Sequence, residues 1–506
     1  METSIGALIA GAAARFGEKT ALVTDDRHFT FVDLDRLSSG VATRLQRRGY
    51  GPGTTISLLA PNSAEWIVAY YGILKAGCTV NPLNPMLTGP EAAFIVRDCA
   101  AAVVFGLRDK LLALRAALGE ETGPVLVSFE GDGEAVETFA DWTATPAEPI
   151  SGVDPDRLDE VGTIAYTSGT TGKPKGAMLT HRAILLNVAM TATLHRRTDA
   201  DTVVSALPLS HVYGNVVMQC AITYGMTLIL HTTFESEAIL RSIETYRATL
   251  FEGVPTMYLY LLDCPEFDTY DLSSLTRCTV GGQTMPVAKM REVEARFGTP
   301  LLELWGMTEL GGLGTTHALL GERRLGSIGV PLPPMQARIV APDDPTKALP
   351  HGETGQLALR GPLTMKGYLN RADATAEAID ADGFLLTGDL GYMDADGYLY
   401  VVDRLKDMII TGGFNIYPAE LESALCEHPA VAMAAVVGVA DPLKGELAKA
   451  FVVVAHGKTV TEQELLDFCR TRLAAYKIPR LVSFVADLPK TGSGKILRRA
   501  LRDHVA

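Results

Sequence analysis

Several features that would have directed this 506-residue chain elsewhere are missing. Its seven cysteines (78, 99, 220, 264, 278, 426 and 469) form no CxxC pair and no Cys/His cluster at metal-ligand spacing. That excludes a disulfide scaffold and points to buried free thiols in a reducing compartment. The longest strongly apolar run, Ala430 to Ala440, is too short to cross a bilayer, so no integral membrane segment is expected. There is no basic excess: the formal net charge is -14, the wrong sign for a general nucleic-acid or membrane-surface binder. The start, Met1 to Gly6, has no basic region before its short apolar stretch, and the end, His504-Val505-Ala506, carries no lipidation or peroxisomal signal. A cytoplasmic location is the default expectation. The GxxxxGK[ST] phosphate loop is absent as well.

What is present is a βαβ rhythm. Apolar runs at Ile56–Ala60, Val103–Phe105, Val125–Val127, Val203–Ala206, Leu228–Leu230 and Cys278–Val280 alternate with helical patterns such as Asp33 to Arg48 and Ser63 to Ala76. Such alternation predicts an α/β fold with mostly parallel sheets, whose ligands sit at the C-terminal strand ends. Residues 135–160 are acidic and weakly patterned and read as a surface connection. Between about 330 and 403 the texture changes to short strands with Gly and Asp turns, as in a small antiparallel sheet or barrel. After Asp403-Arg404-Leu405-Lys406-Asp407 a fresh unit begins, with its own strands and helices.

One stretch concentrates chemistry: Thr167-Ser168-Gly169-Thr170-Thr171-Gly172-Lys173-Pro174-Lys175-Gly176. An apolar run, Val161 to Tyr166, precedes it, and Thr180 follows as an N-cap for a helical pattern, so it reads as a loop between a buried strand and a helix. Its backbone N–H groups, hydroxyls and ammonium groups can face an anion without obstruction, and polyphosphate is the natural guess. On its own, a solvated Gly/Thr loop is the commoner reading.

With that loop as the first of seven, the motifs resemble those of the adenylate-forming superfamily, which includes acyl-CoA synthetases, nonribosomal-peptide adenylation domains and firefly-type luciferases. In order, the others are Leu207-Pro208-Leu209-Ser210-His211-Val212-Tyr213-Gly214, Trp305-Gly306-Met307-Thr308-Glu309, Leu386-Thr387-Gly388-Asp389, Asp403 to Asp407, Gly412-Gly413-Phe414-Asn415-Ile416-Tyr417-Pro418, and Lys490-Thr491-Gly492-Ser493-Gly494-Lys495-Ile496. The resemblance covers nearly the whole chain. It implies a large N-terminal domain of two α/β sheets plus a small β-barrel-like subdomain (1–403), a hinge at 404–406, and a small mobile α+β C-terminal domain (407–506). The activity implied is carboxylate + ATP → acyl-AMP + pyrophosphate, then transfer to the thiol of coenzyme A. That makes ATP, Mg²⁺ and CoA its cofactors, a small carboxylic acid its substrate, and leaves a homodimer and a separate carrier protein open as partners.

The first step brings an anion onto a phosphate, so cations and fixed dipoles matter more than a protein nucleophile. The resemblance names Lys495, Thr308, Glu309 and His211 as catalytic, with Glu309 as the carboxylate for Mg²⁺. It assigns nucleotide contacts to Thr167, Ser168, Gly169, Thr170, Thr171, Gly172 and Lys175, to Gly282, Gln283 and Thr284, to Glu303, Leu304, Trp305, Gly306, Met307 and Thr308, and to Asp389, Arg404 and Lys495. Acyl-pocket walls fall to His211, Tyr213, Asn215, Val217, Gly253, Val254, Gly281 and Leu304; Lys406 is the hinge, and Gly412 and Gly413 line the CoA channel. Lys490 reads as a solvated surface lysine, and Arg498 as either solvated or phosphate-facing.

The chain also departs from the family's pattern. Trp305 replaces the usual Tyr, which leaves the phenol's contact in doubt. Leu304 stands where many acyl-CoA synthetases have Gly and should narrow the channel. Gln283 replaces a small residue, so adenine recognition or pocket shape is expected to differ. Two alternatives stay open: an enzyme that hands the adenylate to a carrier protein or an amine, and a degenerate nucleotide-binding regulator.

Overall fold

The computed structural model describes residues 4–24, 27–119, 123–131, 136–148, 156–167, 174–411 and 414–503. Helices start where a short hydroxyl side chain precedes an apolar run. Thr30 and Asp33 form a capping box at the head of Phe31–Arg47, Ser63 caps Ala64–Lys75, and Thr180 caps His181–Leu194 as expected. The helix expected from Asp33 begins two residues earlier, at Phe31.

Among the described residues the chain forms four sheets. A nine-stranded sheet is parallel from Leu301–Met307 through Arg277–Gly281, Leu250–Gly253, Thr202–Ser205 and Thr227–Leu230 to Thr20–Thr24. A seven-stranded sheet is parallel from Glu137–Thr138 to Val161–Thr167 and closes with antiparallel Lys175–Thr180. Helices Ala64–Lys75 and Val212–Tyr224 are buried almost all round, so they lie inside the domain rather than on it. Their polar groups pair with each other: the Tyr71 hydroxyl donates to Gln219 Oε1 at 2.7 Å, and Gln219 Nε2 donates to the Tyr70 hydroxyl at 2.9 Å.

Two expectations change here. The 167–176 stretch does not join a strand to a helix. It joins two antiparallel strands, Thr167 facing Lys175, because Lys175–Thr180 pairs along Val161–Thr167 as a strand, mostly buried, before Thr180 caps the helix. The acidic 135–160 segment is more than a surface connection: Phe139 and Trp142 are buried, and Trp142 packs edge-on against Phe105 with ring centroids 5.1 Å apart.

Residues 336–404 form a five-stranded antiparallel sheet. From Ile409 onward the chain builds a separate sheet around Gly445–Val454 and Val431–Asp441. Helices Pro418–Cys426 and Glu462–Arg470 supply the matching core residues Leu421, Leu425 and Leu465. All seven thiols are buried and unpaired. No helix among the described residues is long and apolar enough to cross a membrane.

Candidate active site

Parallel strands bring their C-terminal ends into line, and here that alignment puts Gly253 beside Val280 and Gly281 beside Leu304. Leu304 is buried, and a Cβ at Gly281 would overlap its Cδ1. The leucine therefore fills the space above Gly281. The next residue, Gly282, has φ +96°, and a Cβ there would lie 2.8 Å from Lys495 Cε and 3.5 Å from Val254. A glycine is required twice over, for its backbone angle and for the lysine stem that crosses it.

Lys495 thus reaches the large domain's strand ends from the far end of the chain. Burial, together with the nearby Arg404 guanidinium, lowers its ammonium to about 8, with Asp389 opposing. Asp389 and Arg404 are cross-strand partners in the antiparallel sheet, and Arg404 Nε lies 2.9 Å from Asp389 Oδ1. Trp305 Nε1–H donates to Asp389 Oδ2 at 2.8 Å. The indole thus provides a polar contact of its own where the usual phenol is missing. Asp389 itself is buried, and its Oδ1 has no hydrogen bond of proper geometry.

Glu309 is buried in the short turn Thr308–Leu310, and burial raises its carboxyl above the usual range. Its side chain accepts a hydrogen bond from the Tyr368 hydroxyl at 2.7 Å. The Lys175 ammonium sits 5.2 Å from the centroid of the same Tyr368 ring. Tyr368 was not among the sequence candidates. It arrives because the Lys366–Leu369 segment adds to the edge of Lys175–Thr180 through Lys366 N–H to Met178 C=O (2.9 Å) and Leu369 N–H to Gly176 C=O (2.8 Å). The only sequence signal was an aromatic after Gly367. Among the described residues no three His, Cys, Asp or Glu side chains gather as a metal cage. A single buried carboxylate with one neutral partner fits an ion held otherwise by phosphate and water oxygens, as Mg²⁺ is.

His211 is half-buried and caps helix Val212–Tyr224; its Nδ1 accepts the Tyr213 N–H at 3.3 Å. Burial and the Lys495 charge push its pKa down to about 3, so the ring is neutral with the proton on Nε2. Of the other proposed pocket residues, Val254 touches the Lys495 loop: a Cβ on Gly494 would meet it at 3.1 Å. Tyr213 is buried and its hydroxyl pairs with Thr279 Oγ1 at 2.6 Å. Asn215 Oδ1 accepts from the Tyr70 hydroxyl at 3.3 Å, and Val217 is buried in the core.

The other nucleotide-site candidates are placed as follows. Thr284 is exposed. Gln283 turns its amide to the backbone of Ile496 in the C-terminal domain. Glu303 is buried, its carboxyl raised to about 8 by burial and bonded by the Gly326 N–H. Thr167, Gly306, Met307 and Thr308 are half-buried, and Gly306 passes so close to the Gly312 carbonyl that no Cβ would fit. Lys406 is exposed between Leu405, which bonds the Gly388 carbonyl, and Asp407, which bonds Arg404. Ser168, Gly169, Thr170, Thr171, Gly172, Gly412 and Gly413 lie outside the described residues.

Two basic residues are not solvated. Lys490 bonds Asp487 at 2.6 Å and lies 4.8 Å from the Tyr260 ring centroid. Arg498 pairs with Glu422 at 2.8 Å and with Asp403 and Asp407 at 3.7 Å, so it faces carboxylates rather than a phosphate. The partners of Arg498 come from other elements, whereas Lys490 pairs with a carboxylate three residues before it and adds the distant Tyr260 ring.

Known proteins share this arrangement. A family model described as AMP-binding enzyme matches residues 9–369, and one described as AMP-binding enzyme C-terminal domain matches residues 420–495. The long-chain-fatty-acid–CoA ligase of Bacillus subtilis strain 168 is 37% identical, over 98% of this chain and 94% of its own. The crystal structure of the anthranilate CoA ligase AuaEII with anthranoyl-AMP superposes with a TM-score of 0.92 at 29% identity, covering 99% of this chain and 97% of that one. ATP-bound MatB from Rhodopseudomonas palustris gives a TM-score of 0.90 at 31% identity over 100% and 99%. With the domain match spanning most of its length and these relatives matching end to end, the chain belongs to the AMP-binding enzyme family.

Proposed function

We propose that the protein is an AMP-forming acyl-CoA synthetase whose first half-reaction is run by the geometry described above. A carboxylate oxygen attacks the α-phosphorus of ATP, the bond to the β-phosphate oxygen breaks, and acyl-AMP and pyrophosphate result. The thiol of CoA then attacks the acyl carbon, AMP leaves, and the thiol proton is released. The observation that carries this reading is Lys495, seated across Gly282 and held near Asp389 and Arg404. There its charge meets the α-phosphate and the incoming carboxylate, where negative charge concentrates in the transition state. Asp389 accepts the ribose hydroxyls, and Trp305 and Arg404 hold it in place.

Glu309 holds Mg²⁺, with Tyr368 orienting it. Bound there, the ion offsets the charge of the phosphates. Lys175 faces the departing pyrophosphate. The acid has an apolar body, medium in length or aromatic, its depth limited by Leu304 over Gly281. Its relatives act on acids as different as a long-chain fatty acid and anthranilate, so the wall residues rather than the family set the choice.

Pyrophosphate exchange over a panel of fatty and aromatic acids tests the first step, and addition of CoA tests the second. Exchange with at least one acid, followed by a CoA thioester, is the expected result. ATP binding without exchange for any acid would refute the enzyme reading. Exchange without thioester would move the acceptor to an amine or a carrier protein.

A further inference from the structure

The backbone groups on either side of Lys495 are paired, those of Gly494, Lys495 and Ile496 all finding partners. Within the loop, Gly494 N–H donates to the Thr491 carbonyl at 2.9 Å, Lys495 N–H to Thr491 Oγ1 at 3.2 Å, and Thr491 N–H to the Lys495 carbonyl at 2.7 Å. The remaining flanking groups are met from the large domain. Thr256 Oγ1 donates to the Gly494 carbonyl at 2.6 Å. Gln283 accepts the Ile496 N–H on Oε1 at 2.9 Å and donates from Nε2 to the Ile496 carbonyl at 3.4 Å. So the residue before Lys495 is fastened by one side chain and the residue after it by another. Thr256 follows strand Leu250–Gly253 and Gln283 follows strand Arg277–Gly281, neighbours in one sheet, and Gly282 between them receives the lysine stem.

We propose that Gln283 and Thr256 are positioning residues: a two-sided clamp on the backbone that aims the Lys495 ammonium at the reacting phosphate. The proposal rests on the role given to Lys495 above. Main-chain hydrogen bonds are the suitable means, because a lysine has four rotatable methylenes and is aimed only if its Cα is fixed. A glutamine suits one side of the clamp because its amide answers an N–H and a C=O of the same residue together. Since the clamp acts only through Lys495, whose proposed role is in adenylation, it bears on that half-reaction and not on thioester formation.

The test uses the full-length enzyme, the acid giving the fastest pyrophosphate exchange in the screen above, and the synthetic adenylate of that acid. Gln283→Ala should lower the kcat of pyrophosphate exchange about tenfold, the scale expected for losing a small number of hydrogen bonds. KM for ATP should stay nearly constant. Conversion of the adenylate and CoA to thioester should be unchanged, which also certifies that the variant is folded. Thr256→Val, which keeps the shape and removes the donor, should act in the same direction. In a Lys495→Ala background, Gln283→Ala should cost nothing further, because a positioning residue has nothing left to position. An unchanged exchange rate, an equal loss in both half-reactions, or an undiminished loss in the Lys495→Ala background would overturn the clamp. If Lys495→Ala itself leaves exchange intact, the role of the lysine fails instead, and the two failures are told apart.

Discussion

Trp305 and Asp389, which lie on different sheets, are joined by a 2.8 Å hydrogen bond from the indole N–H to the carboxylate. A phenol at position 305 cannot offer a donor at the same place on its ring, so the indole gives Asp389, the carboxylate proposed for the ribose, a tie that a phenol would not. Trp305→Phe keeps an aromatic face and removes the donor. We expect KM for ATP in pyrophosphate exchange to rise about five- to tenfold, the scale of one ordinary hydrogen bond, since the lost donor acts on ATP only through Asp389. kcat should change little. A large fall in kcat with unchanged KM would contradict the assignment.

Tyr368→Phe removes the hydroxyl that favours the ionised form of Glu309, a carboxyl already raised by burial. The carboxyl then moves further up, and protons compete with the metal over a wider range. The Mg²⁺ concentration for half-maximal exchange should increase several-fold, more at pH 6 than at pH 8. Magnesium titrations at the two pH values read it directly.

The pH profile of adenylation should show Lys495. Its ammonium is the active form, and in the free enzyme it is lowered to about 8. A lowered lysine loses its proton as pH rises through that value, so kcat/KM for ATP should fall on the alkaline side of about 8 with the loss of one proton. Bound ATP is anionic and favours the charged form, so the same limb in kcat should lie at higher pH. Lys495→Arg, always charged, should abolish the limb even where it lowers the rate.

Leu304→Gly opens the space above Gly281 and should admit longer or bulkier acids, read as a changed order in the acid panel. Removing a buried leucine also costs stability, about 2–5 kcal/mol or somewhat more for glycine, read by denaturant unfolding. Gly281→Ala works the other way: its methyl collides with Leu304, and the preferred acids should become smaller. An unchanged order in both variants would remove Leu304 from the acyl wall.

Local and periodic features of the fold were legible in the sequence. The strand–helix alternation gave the parallel sheets, and Thr180 gave a helix start. Asp389 and Arg404 were both named and proved to be direct cross-strand partners. What the sequence concealed was long-range pairing. Gln283 stood out as a departure, but its partner Ile496 lies 213 residues away. Lys490 looked free although Asp487 stands three residues before it; the part that was concealed is the Tyr260 ring, which approaches only after folding. Tyr368 was missed because nothing near it in the chain announces Glu309. Periodicity reports which face of an element is buried; it does not report which distant element covers it.

The clamp around Lys495 also bears on how the protein changes state. Among the described residues the hydrogen bonds at this end of the domain contact are Thr256 to Gly494, Gln283 to Ile496, Tyr260 to Asp487, and the His456 N–H to Asp263, beside an apolar core that Leu488 and Leu501 share with the large domain. Each of these bonds can be exchanged for a bond to water at a net loss of about 1 kcal/mol. The polar part of the seat is therefore readily exchanged, and the apolar part sets how firmly it holds. If the C-terminal domain leaves this seat, differences in how ATP, acyl-AMP and CoA bind the two arrangements decide the populations.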